Sequence, residues 1–225
     1  MLQYNNIDIH WLGHDSFLIK SKEKVIYIDP FKLSRSDLPK ADIIITTHEH
    51  FDHCNPDSIN LISTDETALI GSTNCLAIFD EKVQHKKSFL ELKPGETVEV
   101  DGIQIKAYPA YNINKFREPG KHFHPKEAGH IGPLLNIDGT KIFHTGDADN
   151  IPEFKDIKPD IAMVPVSGTY VMTVEEAVEA AKIIDADITI PMHIGRGIGE
   201  ISYLEDFKKK LSGKRVEVLE LEEDM

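Results

Sequence analysis

The strongest constraint on this chain is the segment His48-Glu49-His50-Phe51-Asp52-His53, which directly follows a short apolar run. Such a run is typical of a buried strand, and three imidazoles and a carboxylate at its end are hard to explain by packing. Alternate residues of an extended segment point the same way, so His48 and His50 can reach one ion. Asp52 and His53, where the chain turns, can face a second ion. The segment therefore predicts a site for divalent metal ions, with zinc, manganese and iron as suitable ions.

Length and charge limit the classes of protein to which the chain can belong. Its 225 residues predict a single domain spanning 1–225. The formal net charge of −13 repels polyanions, so we expect neither a nucleic-acid partner nor an anionic membrane surface. Bound metal ions would reverse the sign locally at the site, so the net charge alone does not decide against a nucleic-acid partner. A homo-oligomer also stays open.

The N-terminal residues show no basic segment followed by an apolar one, and no apolar run is long enough to span a bilayer. We therefore expect a cytoplasmic protein with no membrane partner. The chain has only two cysteines, Cys54 and Cys75, which is too few for a disulfide framework. Cys54 adjoins the histidine-rich segment, and we expect it to be a small apolar filler rather than a ligand or a reactive thiol.

The hydrophobic pattern predicts strands and helices that alternate in two halves. Asn55-Pro56 predicts a helix start, and Thr173 with Glu176 predicts a capping box at the start of a later helix. Runs of strands followed by helices, twice over, predict two sheets packed face to face with helices outside. The predicted strands are 7–11, 16–20, 24–29, 42–47, 67–71, 97–100, 103–108, 133–137, 140–145, 160–166, 187–192 and 215–219; the predicted helices are 55–62, 73–81, 173–184 and 203–211.

The stretch 109–132 lacks regular periodicity and holds His122, His124 and His130. A long loop without secondary structure inside a compact domain is usually functional. We therefore expect this stretch to contribute to the metal site.

The His-x-His-x-Asp-His pattern resembles the metallo-β-lactamase superfamily, in particular its small single-domain metal-dependent hydrolases. Further motifs carry the resemblance across nearly the whole chain: Gly13-His14-x-Ser16, Ile28-Asp29-Pro30-Phe31, Pro109-Ala110-Tyr111-Asn112, Ile142-Phe143-His144-Thr145-Gly146-Asp147 and Pro191-Met192-His193. The resemblance implies an α/β (α+β) fold, the four-layer αββα sandwich. It also implies two divalent metal ions, with zinc expected before manganese or iron.

The resemblance assigns metal ligands to three of these motifs. His48 and His50 would bind the first ion; Asp52, His53 and His193 would bind the second; Asp147 would bridge the two. Two close cations repel each other, and a shared carboxylate and a shared hydroxide screen them.

The third ligand of the first ion is where this chain departs from the common pattern. Many relatives have Pro-Ala-x-His where this chain has Asn112, so another residue must supply the imidazole. His124-Pro125 resembles a sub-group with a Tyr-Asn pair and a later His-Pro. We expect His124, ahead of His130 and His122, because Pro125 restricts the backbone of His124 to extended conformations. The alternatives are that Asn112 binds the ion directly or that a water completes the shell.

Two ions and a bridging hydroxide predict a metal-dependent hydrolase that acts on an ester, lactone, amide or phosphoester bond of a small molecule. Asp52 is the expected catalytic residue, because it can orient the hydroxide and pass a proton to the leaving group. The candidates for contact with substrate are His14, Tyr111, Asn112, His130 and Tyr170. Asp29 is expected to orient a ligand imidazole or to end its strand, rather than to be a ligand itself.

Two alternatives stay open. One is a nuclease or phosphodiesterase of the same scaffold, against which the net charge counts. The other is a non-hydrolytic redox or ligand-binding protein that uses the same ligands for iron.

Overall fold

In the computed structural model, most strands belong to two seven-stranded sheets, one in each of two compact units of the chain. The structure describes residues 1–22, 24–35 and 37–222. The first unit comprises residues 1–92 with the C-terminal residues from Leu219 onward, and the second comprises residues 93–218. The single domain that the length predicts stays a prediction.

The sheet of the first unit follows the chain, in the order β1 to β7. Its first four strands pair antiparallel, and the fourth to seventh pair in parallel. The strands are β1 (Leu2–Tyr4), β2 (Ile7–Trp11), β3 (Phe17–Ser21), β4 (Lys24–Ile28), β5 (Ile43–Thr46), β6 (Ala68–Gly71) and β7 (Ser88–Glu91); the helices are α1 (Pro56–Ile62) and α2 (Leu76–Lys82), with a 3₁₀ turn at Thr73–Cys75.

The parallel strands of this sheet place the histidine-rich segment. All four residues of β5 are buried, as a strand covered on both faces requires. The carboxyl ends of neighbouring parallel strands lie at one edge, so Asp29 after β4 lies beside Thr47 after β5. Gly71 on β6 has no room for a side chain, because a Cβ there would lie 2.6 Å from the hydroxyl oxygen of Thr46.

Helix α1 begins as its sequence predicts. The side chain of Asn55 accepts a hydrogen bond from the backbone N–H of Ser58 at 2.9 Å, and Pro56 occupies the first helical position. Ile59 and Ile62 of this helix pack into an apolar core that also contains Phe79 of α2. This core holds the segment between β5 and α1 at both of its ends.

The sheet of the second unit has the order β16-β15-β14-β13-β12-β9-β8, and β13 to β16 pair in parallel. Strands β10 and β11 form a separate two-stranded hairpin. The strands are β8 (Thr97–Val100), β9 (Ile103–Pro109), β10 (Phe116–Glu118), β11 (Lys121–His122), β12 (Ile131–Ile137), β13 (Thr140–His144), β14 (Ile161–Pro165), β15 (Ile188–Met192) and β16 (Arg215–Val216); the helices are α3 (Val174–Ile184) and α4 (Ser202–Lys210), with 3₁₀ turns at Lys126–Ala128 and Pro152–Asp156.

Parallel pairing again brings polar residues to one edge of the sheet. Asp147 follows β13, Ser167 follows β14 and His193 follows β15. Helix α3 starts with the predicted capping box, in which Thr173 and Glu176 each bond the other's backbone N–H.

The structure corrects the sequence prediction at several elements. Strands β1 and β7 were not predicted, and the stretch 109–132 is not structureless, because it contains β10, β11, a 3₁₀ turn and the start of β12. The remaining strands and helices were predicted, with most boundaries within two residues. Among the described residues, no helix combines the length and the apolar character needed to cross a bilayer.

Candidate metal centre

In the first unit, Asp29 and Thr47 hold two imidazoles of the histidine-rich segment. The carboxylate of Asp29 accepts hydrogen bonds from the backbone N–H and the hydroxyl of Thr47, at 2.8 and 2.7 Å. It also accepts one from Nδ1 of His53 at 2.7 Å. Since the Thr47 hydroxyl donates to Asp29, its oxygen is the acceptor for Nδ1 of His48, 3.0 Å away. Both imidazoles therefore carry their proton on Nδ1 and keep a lone pair on Nε2.

His50 and Asp52 complete this half of the predicted ligand set. Nε2 of His48 lies 3.0 Å from Nδ1 of His50. Asp52 Oδ2 lies 3.2 Å from Nε2 of His14, whose ring is fully buried and packs edge-on against His53. His50 and Asp52 are only partly buried, so they are the members of the segment's ligand set that a small molecule can reach.

In the second unit, two imidazoles converge on one carboxylate oxygen. Asp147 Oδ2 lies 3.2 Å from Nε2 of His124 and 3.3 Å from Nε2 of His193. All three side chains are buried. The structure thus brings together the three residues that the sequence predicts as ligands in this half of the chain.

The amide of Asn112 determines the proton position on His124. Its Oδ1 accepts hydrogen bonds from the backbone N–H and from Nδ1 of His124, at 2.8 and 3.1 Å. Its Nδ2 faces two oxygens, the backbone carbonyl of Tyr170 at 3.0 Å and Asp149 Oδ1 at 3.4 Å. This fixes the orientation of the amide, so Nδ1 of His124 must be the donor, and Nε2 is the ring nitrogen that faces Asp147.

The donor set fits divalent metal ions. When neutral, His48, His53 and His124 can each offer the lone pair of Nε2, because a neighbouring group accepts the Nδ1–H, the arrangement found for histidines that bind metals. Nδ1 of His193 lies 2.7 Å from the Ser167 hydroxyl oxygen, and this contact fixes the direction of the fourth ring. Nε2 of His124 lies 3.2 Å from Asp147 Oδ2, so an imidazole nitrogen and a carboxylate oxygen are close enough to share one cation. Imidazoles and carboxylates are the nitrogen and oxygen ligands that zinc takes.

Three residues of the candidate site have left-handed backbone conformations. The φ angles of His14, Asp29 and His193 are 55°, 46° and 64°. Such a conformation costs a residue with a side chain on the order of 1 kcal/mol or more, and it persists where surrounding contacts enforce it. Asp29 and His193 directly follow strands β4 and β15, and His14 lies inside the turn that the hydrogen bond from the Ser16 N–H to the Gly13 carbonyl closes. The left-handed conformation contributes to the direction in which each side chain leaves the backbone.

Four of the residues predicted to contact substrate are mostly buried. His14, His130 and Asn112 are buried at 3% exposure or less, and Asn112 uses both ends of its amide on the protein. The Tyr111 hydroxyl donates to Glu153 at 3.0 Å, and Tyr111 is 8% exposed. Contact of these four residues with substrate stays a prediction.

Tyr170 is the fifth residue predicted to contact substrate. It is 38% exposed, and its ring packs edge-on against Phe123, the neighbour of His124. His130 lies with its ring centroid 5.7 Å from that of His124. His122 stacks on Phe116 and bonds the carbonyl of Ile113, at the hairpin of β10 and β11.

Sequence reasoning missed several residues that shape the site. Thr47, Ser167 and Asp149 are of ordinary types, and their contacts join segments that are distant in sequence. Asp15 is a fully buried carboxylate with Oδ2 3.9 Å from Nδ1 of His53. The sequence signal for a role of Asp15 in the site is its position directly after His14.

Cys54 is a core residue, as its sequence context predicts. Its side chain is 1% exposed and belongs to the apolar core that includes Cys75. A hydrogen bond with Cys75 and burial raise the pKa of the Cys54 thiol well above its usual value. The thiolate that would bind a metal or act as a nucleophile is therefore disfavoured.

Comparison with known sequences gives matches over most of the chain. A family profile described as a β-lactamase superfamily domain matches residues 8–193. A relative from Thermoplasma volcanium, named as a metal-dependent hydrolase, is 33% identical over 200 residues, which is 84% of this chain and 83% of the relative.

Two solved structures agree with the sequence matches. A protein from Parabacteroides distasonis, also named as a metal-dependent hydrolase, has a TM-score of 0.82 and 34% identity, over 96% of this chain and 94% of that one. A metallo hydrolase from Ignicoccus hospitalis has a TM-score of 0.76 and 21% identity, over 95% of both chains. The predicted fold class is confirmed by these similarities.

Proposed function

This chain belongs to the β-lactamase superfamily, and we propose that it is a hydrolase that works through two divalent metal ions. Zinc is the expected ion, before manganese or iron, because imidazoles dominate the donor set. The relatives that bear the name metal-dependent hydrolase support the class of reaction.

The observation that carries the proposal is the position of Asp147. One oxygen of its carboxylate lies 3.2 and 3.3 Å from the Nε2 atoms of His124 and His193. In the proposed ligand set these imidazoles would serve different ions, so the contact of Asp147 with both supports a bridging role for its carboxylate. A shared carboxylate would offset part of the repulsion between two divalent ions.

The proposed ligand set divides into two groups of three residues and one shared residue. His48, His50 and His124 would hold the first ion, Asp52, His53 and His193 would hold the second, and Asp147 would be shared. When bound, the two ions would polarise the oxygen of the bond under attack and lower the pKa of a shared water, which supplies the hydroxide nucleophile.

The protein's own groups would orient the reacting atoms and move a proton. Asp52 is proposed to orient the nucleophile and to carry a proton to the leaving group. His14, with Nε2 3.2 Å from Asp52 Oδ2, holds that carboxylate in place. Tyr170 is exposed beside Phe123 and is proposed to contact the substrate.

The proposed substrate is a small molecule with an ester, lactone, amide or phosphoester bond. The net charge of −13 counts against a nucleic-acid strand as substrate. A cytoplasmic location and the absence of a membrane partner stay proposals.

The test is hydrolysis of a panel of ester, lactone, amide and phosphodiester compounds by the zinc-loaded chain. Removal of metal should abolish the activity, and back-titration should restore it. Asp52→Asn should lower kcat by about 10²–10⁴-fold, the usual contribution of a positioned proton carrier, while the first ion is retained.

Asp65→Asn is the matched control, because it makes the same change on a carboxylate that is 82% exposed and bonded to His85. It should leave the rate unchanged. Activity that survives complete removal of metal would contradict the proposal, as would Asp52→Asn with the wild-type rate.

A further inference from the structure

A second aspartate on the Asp147 loop has no role in the ligand set, yet it is 3% exposed. The carboxylate of Asp149 accepts hydrogen bonds from the backbone N–H groups of Ile113 and Asn114, at 2.6 and 2.9 Å, both through Oδ2. Its own backbone N–H donates to the carbonyl of Tyr111 at 2.9 Å. Asp149 therefore joins the loop that carries Asp147 to the segment 111–114.

The second carboxylate oxygen of Asp149 accepts a hydrogen bond from the amide of Asn112. Oδ1 lies 3.4 Å from Asn112 Nδ2 and 3.6 Å from the ammonium of Lys115. With Asp149 and the Tyr170 carbonyl both accepting from Nδ2, Oδ1 of Asn112 must face His124. The chain of contacts runs from Asp149 through Asn112 to Nδ1 of His124, and it leaves Nε2 of His124 facing Asp147.

We propose that Asp149 is a positioning residue that fixes the amide of Asn112 and, through it, the ring orientation and proton position of His124. This rests on the proposed function only in that His124 binds a metal ion. In this proposal Asn112 orients the ligand His124 instead of being a ligand itself.

Asp149→Asn isolates this role because it keeps the size of the side chain. An amide has one acceptor oxygen, whereas Asp149 uses both of its oxygens as acceptors. If the new NH₂ group takes the place of Oδ2, it meets the N–H groups of Ile113 and Asn114. If it takes the place of Oδ1, it meets the NH₂ of Asn112, which then has only the Tyr170 carbonyl as an acceptor. Either placement weakens the contacts that hold the Asn112 amide against His124.

The experiment measures zinc affinity of the full chain by competition with a chromophoric chelator, with His124→Gln identifying the binding step that depends on His124. Asp149→Asn should weaken that step about 10–100-fold, the usual effect of losing a group that orients a ligand. The affinity of the zinc-binding step that does not depend on His124 should change by less than about threefold. In the zinc-loaded protein, the Nδ1–H proton resonance of His124 should be protected from exchange in wild type and lost in Asp149→Asn.

Glu176→Gln is the matched control. Glu176 bonds the same Lys115 and the neighbouring Asn114, at 2.6 and 2.7 Å, but it does not bond Asn112. The substitution removes the same charge from the same network and should leave both zinc steps and the His124 resonance unchanged.

Asn112→Ala is the second variant, and it carries the test if Asp149→Asn does not fold. It should weaken the same zinc step. A folded Asp149→Asn or Asn112→Ala chain with wild-type affinity at both steps would overturn the inference, and so would an equal loss in Glu176→Gln. If wild type lacks the His124-dependent step, the metal assignment of the proposed function fails; if that step is present and insensitive to Asp149, this inference alone fails.

Discussion

Replacing Thr47 by valine tests whether its hydroxyl orients the imidazole of His48. Thr47 is fully buried, and its hydroxyl donates to Asp29 at 2.7 Å while it accepts from His48 at 3.0 Å. Valine has nearly the same shape but no hydroxyl, so the substitution removes these two hydrogen bonds and the longer contact of the hydroxyl with Nδ1 of His53, at 3.5 Å. Nδ1–H of His48 is left buried without its acceptor, and Asp29 keeps only two of its three donors.

The expected decrease in stability follows from those two hydrogen bonds. An unsatisfied buried donor costs about 1–3 kcal/mol, and a hydrogen bond to a charged group contributes about 1.5–3 kcal/mol. Because the two effects overlap, we expect Thr47→Val to lower the free energy of unfolding by roughly 2–4 kcal/mol. Thr47→Ser keeps the hydroxyl and removes one buried methyl group, which costs about 1 kcal/mol.

Urea unfolding of the metal-free protein measures the free energy of unfolding. Competition with a chromophoric chelator measures the affinity for zinc. Zinc affinity at the step that uses His48 should fall about 10–100-fold in Thr47→Val and change little in Thr47→Ser. The reasoning is refuted if valine destabilises the protein no more than serine does. It is also refuted if the zinc affinity of the valine variant matches that of wild type.

Three further expectations follow from other parts of the molecule. Asp147→Asn should lose metal and activity together, because an amide cannot carry the bridging charge; elemental analysis and rate measurement that find both unchanged would leave Asp147 as a turn residue. Burial raises the pKa of the Glu176 carboxyl, but hydrogen bonds, that from Lys115 first, outweigh burial and hold the pKa below its usual value. Its stabilising contribution should therefore be present above the unfolded pKa of about 4.3 and be lost as pH falls through the folded pKa, so the difference in urea midpoint between wild type and Glu176→Gln should shrink below about pH 4. Cys54 and Cys75 are 1% and 0% exposed, so a thiol reagent should label neither in the native protein and both after unfolding; rapid native labelling would contradict the core assignment.

Local signals explain why much of the fold was predictable. Asn55-Pro56 and the pair of Thr173 with Glu176 satisfy backbone donors within a few residues, so each marks a helix start without help from the rest of the chain. The hairpin of β10 and β11 was missed because its residues are mostly exposed and show no alternation of apolar and polar side chains. Strands β1 and β7 are edge strands of three and four residues, too short for a reliable periodic signal.

The candidate site was predictable where residue types are informative and not where geometry decides. Histidines and aspartates clustered at strand ends can be recognised from the sequence as candidate ligands. Thr47, Ser167 and Asp149 do not, because a hydroxyl or a carboxylate in a loop has many ordinary uses. The role of Asn112 depends on a contact with Asp149, 37 residues away along the chain, which no local pattern contains.

The most direct test of the central claim is a crystal structure of the zinc-loaded protein with anomalous diffraction data collected at the zinc absorption edge. The proposed ligand set predicts two zinc peaks per chain, with Asp147 bound to both and Nε2 of His124 about 2.0–2.1 Å from one of them. A single peak after loading with excess zinc would contradict the dinuclear site. Two peaks with His124 turned to solvent, and with His130 or Asn112 bound in its place, would contradict the assignment of the third ligand.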